Sequence, residues 1–404
     1  MKILVINTGS SSIKYQLFDM EREEAIVTGL AEKIGEGDSI LTQKTMNSSG
    51  STKTKVENRP LADHAEGLSL IVDLLIDPQH GVIRDKSEIA AVGHRVVHGG
   101  EDFQSSTIIT EKVIATVRKN IPLAPLHNPP NLIGIEVAKK LFPEAPQVAV
   151  FDTAFHHSLP ERAYIYAVPY TLYSEHRVRR YGFHGTSHAY VTVTAAEFLK
   201  RAREEINLIT IHLGNGASMT AVKNGRSVDT SMGLTPLEGL VMGTRSGDVD
   251  PALHYFLSEN LGLSIKDIDM LLNKESGLKG LSGNNDMREV EERAGNGDER
   301  ARLALDVYAY RIKKYIGAYF AALGRLDAVV FTAGIGENSP LIRRMSCSDL
   351  GPLGISLDEK KNEERSNIAR DIASEDSRIR VLVIPTNEEK RIARETKRVI
   401  GQQD

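Results

Sequence analysis

The stretch LITIHLGNGASMTAV, residues 208–222, does most to decide the fold. A short apolar run, a turn of small residues and a second run of apolar residues are typical of two strands joined by a glycine turn. The same plan occurs in ILVINTGSSSIKYQLF, residues 3–18, and alignment of the two stretches without a gap places Gly9 opposite Gly214. One such hairpin in each half of the chain predicts two related domains that face each other.

Amphipathic helices alternate with short apolar strands around these hairpins. The helical patterns cover residues 61–76, 111–119, 131–141, 191–203, 298–323 and 388–399. The strand patterns cover residues 88–92, 147–151, 328–332 and 380–384. This alternation predicts an α/β protein with partly parallel sheets, whose ligand crevices lie at the carboxyl ends of strands.

Length and composition point to small-molecule chemistry. The chain has 404 residues, 41% of them hydrophobic, which predicts at least two domains with substantial cores. Because 50 basic residues stand against 54 acidic ones, no broad basic surface suggests nucleic acid or an anionic membrane as a partner. Cys347 is the only cysteine, which excludes an intrachain disulfide and a cysteine-rich zinc site.

The distribution of apolar residues predicts a soluble, cytoplasmic protein. The apolar run that begins at Ile3 is shorter than the core of a signal peptide. The sequence also has no run of about eighteen apolar residues, the length that a membrane-spanning helix needs.

Three glycine turns follow apolar strands and could bind anions. They are Asn7–Ser12, His212–Gly216 and Gly334–Asn338. Successive backbone N–H groups without bulky side chains form anion-binding nests, although a single turn of this kind is usually only a turn. The sequence lacks a G-x-x-x-x-G-K-[ST] phosphate loop and a complete G-x-G-x-x-G, which disfavours a Walker-type NTPase and a simple dinucleotide fold.

Charged residues cluster near these turns. The tract Arg245-Ser246-Gly247-Asp248-Val249-Asp250-Pro251 combines a cation, two carboxylates and a glycine turn, as polyphosphate and metal chemistry requires. Arg95 follows an apolar run and could hold an anion, or could form an ordinary surface salt bridge. Asp152 ends another strand and could be a crevice residue or a helix N-cap.

His184 and His188 lie four residues apart, which is a possible metal-binding spacing. A zinc protease of this kind has glutamate after the first histidine, but Gly185 follows His184 here. We therefore expect His184 to lie at the mouth of a phosphate site and His188 to have a structural role at the start of a helix.

Taken together, these motifs resemble the acetate and butyrate kinase family of the actin, sugar kinase and Hsp70 ATPase superfamily. The resemblance extends from end to end through Asn7–Lys14, His94–Gly100, Phe151–His156, Tyr181–Tyr190, His212–Ser218, Leu234–Pro251, Asp286–Arg288, Gly334–Asn338 and Pro385–Glu389. It implies two actin-like, ribonuclease H-like domains with mixed sheets flanked by helices and an active site in the interdomain cleft. It also implies reversible, in-line transfer of the ATP γ-phosphoryl group to acetate with Mg²⁺, for which Mn²⁺ is an alternative.

The resemblance also implies roles for individual residues. Arg95 would hold the acetate carboxylate, and His184 and Arg245 would stabilise the phosphoryl group in transfer. Asp152 is a proton donor or acceptor in this family; because acetate is already ionised at neutral pH, we expect Asp152 instead to orient metal-bound water or Arg95. The expected acceptor pocket consists of Val97, Leu126, His127, Phe183 and Pro236.

The implied ATP and metal sites are formed mainly by the glycine turns. The expected ATP-binding residues are Lys14, His212, Leu213, Gly214, Asn215, Gly216, Asp286, Met287, Arg288, Gly334, Ile335, Gly336, Glu337 and Asn338. Asn7 and Glu388 are the expected metal ligands, with Glu389 as an alternative to Glu388.

The implied organisation is a homodimer of two-domain chains. Residues 1–151 and 386–404 would form an acyl kinase domain, and residues 152–385 a nucleotide-binding and dimerisation domain. An apolar stripe through Tyr308, Ile312, Tyr315, Ile316 and Tyr319 could serve the dimer or simply the core. The alternatives are a propionate or butyrate kinase, a nucleotide-operated binding protein and a non-catalytic protein on the same fold.

Overall fold

The computed structural model describes residues 1–46, 52–125 and 127–402. The chain forms two compact units. Unit 1 comprises Met1–Ala154 and Asn387–Asp404, and unit 2 comprises Phe155–Thr386.

Unit 1 is built on a mixed sheet of eight strands in the order β5-β4-β3-β2-β1-β6-β8-β7. These strands are β1 (Lys2–Thr8), β2 (Ile13–Asp19), β3 (Glu24–Glu32), β4 (Ile40–Met46), β5 (Thr52–Asn58), β6 (Ile89–Val96), β7 (Thr107–Ile108) and β8 (Gln147–Phe151). β1, β6 and β8 are parallel to one another, and the other pairs are antiparallel.

Helices cover both faces of this sheet. They are α1 (His64–Ile76), α2 (Glu111–Lys119), α3 (Asn128–Leu141) and α15 (Glu388–Ile400), with 3₁₀ turns at Lys86–Glu88 and Ile121–Leu123. Leu4 and Ile6 pack with α1 in one core, whereas Ile3 and Val5 pack with α15 in another. Because alternate side chains of a strand face opposite sides, the continuous apolar run of β1 serves both cores.

Unit 2 contains a six-stranded sheet with the same central plan. The order is β11-β10-β9-β12-β14-β13, with β9, β12 and β14 parallel to one another. The strands are β9 (Asn207–Leu213), β10 (Ala217–Lys223), β11 (Arg226–Thr230), β12 (Ala328–Thr332), β13 (Arg370–Asp371) and β14 (Arg380–Val383).

The helices of unit 2 include the longest one in the described chain. They are α4 (Glu161–Tyr164), α5 (Thr171–His176), α6 (Gly185–Phe198), α7 (Ala252–Leu261), α8 (Ile265–Lys274), α9 (Gly277–Ser282), α10 (Met287–Gly295), α11 (Glu299–Leu323), α12 (Ala333–Asn338), α13 (Pro340–Cys347) and α14 (Glu359–Glu363). There are 3₁₀ turns at Ala154–Ser158, Arg203–Glu205 and Gly351–Leu353. α6 packs against the core strands of the sheet, and α11 packs against β9 and β10.

The two predicted hairpins are confirmed as β1–β2 and β9–β10, but their turns differ in length. Thr8 pairs with Ile13 in the first hairpin, and Leu213 pairs with Ala217 in the second. The second turn is therefore one residue shorter. As a result, the ungapped alignment is correct up to Gly9 and Gly214 but shifts the second strands by one residue.

Two predicted elements differ most from the structure. The segment Gly334–Asn338 is not an open glycine turn but most of helix α12, which begins directly after β12. The helix predicted over residues 191–203 is α6, which begins six residues earlier and ends five residues earlier. The buried first turns of α6 carry Thr186, Ser187 and His188, so hydrophobic periodicity does not reveal them.

The apolar stripe of α11 belongs to the core. Tyr308, Ile312, Ile316 and Tyr319 are all at most 3% exposed. The core alternative for this stripe is thus confirmed. Within the described residues, none of the helices has the length and apolar character needed to cross a membrane.

Candidate functional site

In unit 1 the candidate residues gather at the carboxyl ends of parallel strands. Arg95 is the penultimate residue of β6, and Asp152 directly follows β8. The Arg95 guanidinium donates from Nε to Asp152 Oδ1 at 3.2 Å and from Nη2 to Asp152 Oδ2 at 2.5 Å. Glu388, the first residue of α15, places Oε2 3.7 Å from Arg95 Nε. This edge of the sheet therefore joins one cation to two carboxylates.

The charges in this cluster stabilise the ionised form of Arg95. Burial opposes its charge, but the carboxylates of Asp152 and Glu388 outweigh burial and raise the pKa of Arg95. The Asp152 side chain is only 1% exposed, against 21% for Arg95 and Glu388. Asp152 is therefore a buried ionic partner of Arg95, and Arg95 is not in an ordinary surface salt bridge.

Glu388 differs from its neighbour Glu389 in its ionic partner. Glu389 Oε1 lies 2.6 Å from Lys14 Nζ, and this carboxylate is 8% exposed. Burial raises the pKa of Glu388 to about 7; Arg95 opposes this rise, and Asp152 and Glu389 add to it. Since Glu389 is engaged by Lys14, Glu388 is the better candidate for a metal ligand.

Asn7 offers a second oxygen ligand near the same end of the sheet. It is the sixth residue of β1, opposite Lys14 in the hairpin, and the preceding Ile6 pairs with His94 of β6. An amide oxygen and a carboxylate are hard ligands that suit a divalent cation with several remaining waters. These residues fit a metal of this class.

The predicted acceptor-pocket residues fall in both units. Val97 follows β6 and is 5% exposed, and its N–H donates to Asn131 Oδ1 at 3.0 Å. His127 lies just before α3, and Leu126 lies outside the described residues. In unit 2, Phe183 is 2% exposed, and the carbonyl of Pro236 accepts from Arg245 Nη1 at 3.3 Å.

His184, His212 and Arg245 come together in unit 2. The imidazole rings of His184 and His212 stack with their centroids 4.2 Å apart. A Cβ atom at Gly216 would lie 3.4 Å from both His184 Nε2 and Arg245 Nη1, so the turn after β9 passes close to both side chains. His184 itself adopts a left-handed backbone with φ of 55° immediately before α6. Such strain is typical of functional positions.

Arg245 is a half-buried cation without a carboxylate partner among the residues that the structure describes. Its Nη1 contacts the Pro236 carbonyl at 3.3 Å and Met242 Sδ at 3.9 Å. Burial lowers the pKa of Arg245. An anion bound here would restore the favourable environment that burial removes.

A cavity of about 1020 Å³ lies beside the glycine turn of unit 2. It contains most of the residues expected to bind ATP: Gly214, Asn215, Asp286, Met287, Arg288, Gly334, Ile335 and Asn338. His212 and Leu213 lie at the end of β9, next to this turn. Gly336 and Glu337 lie within α12, and Glu337 Oε1 accepts from the N–H of Thr386 at 3.0 Å.

The cavity also contains residues that sequence reasoning missed. Glu291, Glu292, Ser339, Leu341 and Arg365 line it. Arg365 lies in the loop after α14, and Glu291 is on the same helix as Arg288. Glu291 follows Arg288 by three residues on this helix, so the two side chains share one helix face. This spacing was the available sequence signal for Glu291.

Comparisons with known proteins agree with this arrangement. The family model described as "Acetokinase family" matches residues 2–394. The chain belongs to the acetokinase family. An acetate kinase from Oleidesulfovibrio alaskensis is 56% identical over 97% of this chain and 98% of its own length. An acetate kinase from Thermotoga petrophila is 55% identical over 99% of both chains.

Solved structures of acetokinases share the fold. The acetate kinase of Porphyromonas gingivalis superimposes with a TM-score of 0.93 at 47% identity and covers 99% of both chains. A propionate kinase from Francisella tularensis has a TM-score of 0.91 at 44% identity, over 98% of this chain and 99% of its own. The predicted α/β fold with two actin-like domains is confirmed by these matches.

Proposed function

We propose that this chain is an acetate kinase. It transfers the γ-phosphoryl group of ATP to the carboxylate of acetate and forms acetyl phosphate and ADP, reversibly and by in-line displacement. Membership of the acetokinase family, with acetate kinases about 55% identical over nearly the full chain, carries this conclusion. We further propose Mg²⁺, with Mn²⁺ as a possible substitute, as the divalent cation that the family requires.

The chemistry needs electrostatic stabilisation rather than a general base. Acetate is ionised at neutral pH because simple carboxyl groups have pKa values near ~4. The attacking group and the triphosphate are both anions, so cations must offset their repulsion and the charge on the transferred oxygens. Arg95 would hold acetate, and His184 and Arg245 would contact the phosphoryl group.

Asp152 acts through Arg95 in this scheme. Its two hydrogen bonds hold the planar guanidinium in one orientation. A fixed fork of donors suits a carboxylate, and rigid placement of a reactant lowers the entropic part of the barrier. Asp152 would therefore orient the acceptor site and would not need to move a proton.

The metal and nucleotide residues complete the proposal. Asn7 and Glu388 would hold the cation, which supplies charge neutralisation of the phosphates when bound. Lys14 and the turn from His212 to Gly216 would contact the phosphates. The cavity lined by Asp286–Arg288 and α12 would take the adenosine.

A hydroxamate assay tests the activity and the acyl preference together. The protein is incubated with MgATP, hydroxylamine and acetate, propionate or butyrate, and acyl hydroxamate is measured. We expect the highest kcat/KM with acetate and lower values with the longer acids, because one methylene in an apolar pocket changes binding by about 1–3 kcal/mol. Absence of hydroxamate with all three acids would contradict the proposal.

Propionate kinase is the second candidate function. The Francisella tularensis propionate kinase resembles this chain closely, so the fold alone does not choose between the two acids. A higher kcat/KM with propionate than with acetate in the same assay would favour this candidate.

We also propose that the protein is a cytoplasmic homodimer that associates through unit 2. Helices α7 and α8 pack together and leave large apolar side chains uncovered: Tyr255 and Ile265 are both 71% exposed, and Phe256 is 53% exposed. Clustered exposed apolar side chains are typical of protein interfaces. This surface, not the buried stripe of α11, is our candidate for the contact. In this scheme, unit 1 would be the acyl kinase domain and unit 2 the nucleotide-binding and dimerisation domain.

A further inference from the structure

A chain of hydrogen bonds runs from His184 into the sheet of unit 2. His184 Nδ1 lies 2.9 Å from Ser218 Oγ, which lies 2.8 Å from His188 Nε2. His188 Nδ1 lies 2.7 Å from Thr210 Oγ1, and the Thr210 hydroxyl donates to the carbonyl of Thr220 at 3.5 Å. Ser218, His188, Thr210 and Thr220 are all fully buried.

The carbonyl of Thr220, at the end of this series of hydrogen bonds, determines which group donates in each bond. A threonine hydroxyl has a single proton, so Thr210 accepts from His188 Nδ1–H if it donates to Thr220. Burial lowers the pKa of His188 far below its ordinary value, and this ring is therefore neutral with a lone pair on Nε2. Ser218 then donates to His188 Nε2 and accepts from His184 Nδ1–H. Only this assignment of donors and acceptors satisfies every hydrogen bond in the series at the same time.

The direction of donation determines whether His184 can donate a hydrogen bond from Nε2. With a proton held on Nδ1, a neutral His184 has only a lone pair on Nε2 and cannot donate there. The space left by the missing side chain of Gly216 lies 3.4 Å from His184 Nε2 and from Arg245 Nη1. Nε2 therefore faces the same position as the guanidinium of Arg245.

We propose that Ser218 and His188 are positioning residues that fix a proton on Nδ1 of His184, so that His184 donates to the phosphoryl group only as an imidazolium. This inference rests on the proposed function for the role of His184. Arg245, the stacked ring of His212 and, through Ser218, His188 are among the groups that bear on the charge of His184 within unit 2. Because Arg245 faces the same position, an anion bound there would favour the imidazolium form.

Nitrogen NMR of the nucleotide-free protein tests the proton position without any assay of activity. In protein labelled with ¹⁵N-histidine, neutral His184 should give a pyrrole-type signal for Nδ1 and a pyridine-type signal for Nε2. Thr210→Val removes the acceptor of His188 Nδ1–H. Donation along the series of hydrogen bonds should then run in the opposite direction, and His184 should carry its proton on Nε2. A wild-type protein whose neutral His184 is protonated on Nε2 would overturn the inference.

Kinetics of Ser218→Ala test the consequence for phosphoryl transfer. Loss of the hydrogen-bond partner of a metal-bound histidine costs roughly 10- to 100-fold in activity, and we expect a similar fall in kcat here, with little change in KM for ATP or acetate. The basic limb of the kcat profile should also move to lower pH, because Ser218 stabilises the protonated ring. An unchanged kcat and an unchanged profile would contradict the inference.

Thr192→Val is the matched control. Its hydroxyl is equally buried and donates to the backbone carbonyl of His188 at 2.7 Å, not to the ring. We expect it to leave the His184 signals and the pH profile unchanged. If the wild-type protein makes no acetyl phosphate but shows the predicted proton position, the proposed function fails and the hydrogen-bond chain does not.

Discussion

Arg95 and Arg245 are both partly buried guanidinium groups, but their surroundings differ. Arg95 is fixed by Asp152 and lies near Glu388, whereas Arg245 contacts only a carbonyl and a sulfur among the described residues. A guanidinium that is paired with a carboxylate, like that of Arg95, suits acetate, a weakly charged acceptor that must bind and dissociate. A guanidinium without such a partner, like that of Arg245, suits the highly charged phosphoryl group.

Asp152→Asn should weaken the acceptor site rather than the nucleotide site. A hydrogen bond to a charged group contributes about 1.5–3 kcal/mol, so kcat/KM for acetate should fall by roughly 10- to 100-fold, while KM for ATP changes little. Steady-state kinetics at saturating Mg²⁺ measure both. Glu136→Gln is the control, because it removes an exposed pair with Arg118 in the same unit. Nearly full turnover of Asp152→Asn would show that the Asp152 charge is dispensable.

Metal binding by the nucleotide-free protein should weaken below pH 7. Burial raises the pKa of Glu388 to about 7, so a proton occupies this carboxylate at lower pH and must leave before a cation binds. The apparent Kd for Mn²⁺, measured by electron paramagnetic resonance, should rise by up to about tenfold per pH unit below 7.

Two variants separate Glu388 from its neighbour in this measurement. Glu388→Gln should weaken Mn²⁺ binding and remove its pH dependence. Glu389→Gln should preserve the pH dependence, because Glu389 pairs with Lys14. If Glu389→Gln alone abolishes the dependence, Glu389 is the metal ligand.

At the level of helices and strands, α15 returns the end of the chain to the sheet of unit 1. Ile392 and Thr396 of α15 are at most 1% exposed and pack over Gly93 of β6. A Cβ atom at Gly93 would lie 2.8 Å from Ile392 Cγ2 and closer still to the Thr396 hydroxyl. The missing side chain is thus what allows this helix to approach the strand that carries Arg95.

Gly93→Ala should therefore destabilise the protein. Overpacking of a tight core costs about 1–3 kcal/mol, which denaturant unfolding measures as a lower midpoint. Gly317→Ala in α11 is the opposite case, since nothing lies within 4 Å of the added atom. It should stabilise the protein by up to about 1 kcal/mol, because alanine favours helix over glycine. Equal effects of the two variants would contradict this packing account.

Sequence patterns predicted elements with regular apolar periodicity but not those with polar or strained features. The bounds of α2, β8 and β12 agree with the prediction to the residue. The strands β3, β4 and β5 were missed, because much of their surface is polar and partly exposed. The C-terminal end of α6 was missed because Lys200, not glycine, has the left-handed backbone after it.

The candidate site was predictable in its residue types but not in its internal contacts. The strand ends at Arg95 and Asp152 placed both residues at one edge of the sheet. By contrast, the bond between Ser218 and His188 joins a strand to a helix and has no sequence periodicity. The left-handed backbone of Ala333, which begins α12, is likewise invisible in the glycine pattern that predicted a turn.

For the whole molecule, the shared strand order of the two sheets agrees with the repeat of the hairpin in the sequence. In each unit an antiparallel hairpin is followed by two further strands parallel to its first strand. Both units then use the carboxyl ends of these strands for candidate functional residues, as expected for α/β sheets.

Tyr255→Lys should dissociate the proposed dimer. A charge at the centre of an apolar contact would be buried without a partner, which costs several kcal/mol. Light scattering coupled to size-exclusion chromatography should then show the mass of one 44.4 kDa chain in place of two. Tyr310→Lys on α11 changes a similarly exposed tyrosine and should leave the dimer intact. Dissociation by Tyr310→Lys alone would place the contact on α11.

The central claim is that cationic side chains stabilise a phosphoryl group that passes directly from ATP to acetate. The most direct test is the configuration at phosphorus after transfer from ATP made chiral with oxygen isotopes at the γ position. A single in-line displacement predicts inversion in the acetyl phosphate product. Retention of configuration would reveal two successive displacements through a phosphorylated side chain and would contradict the account.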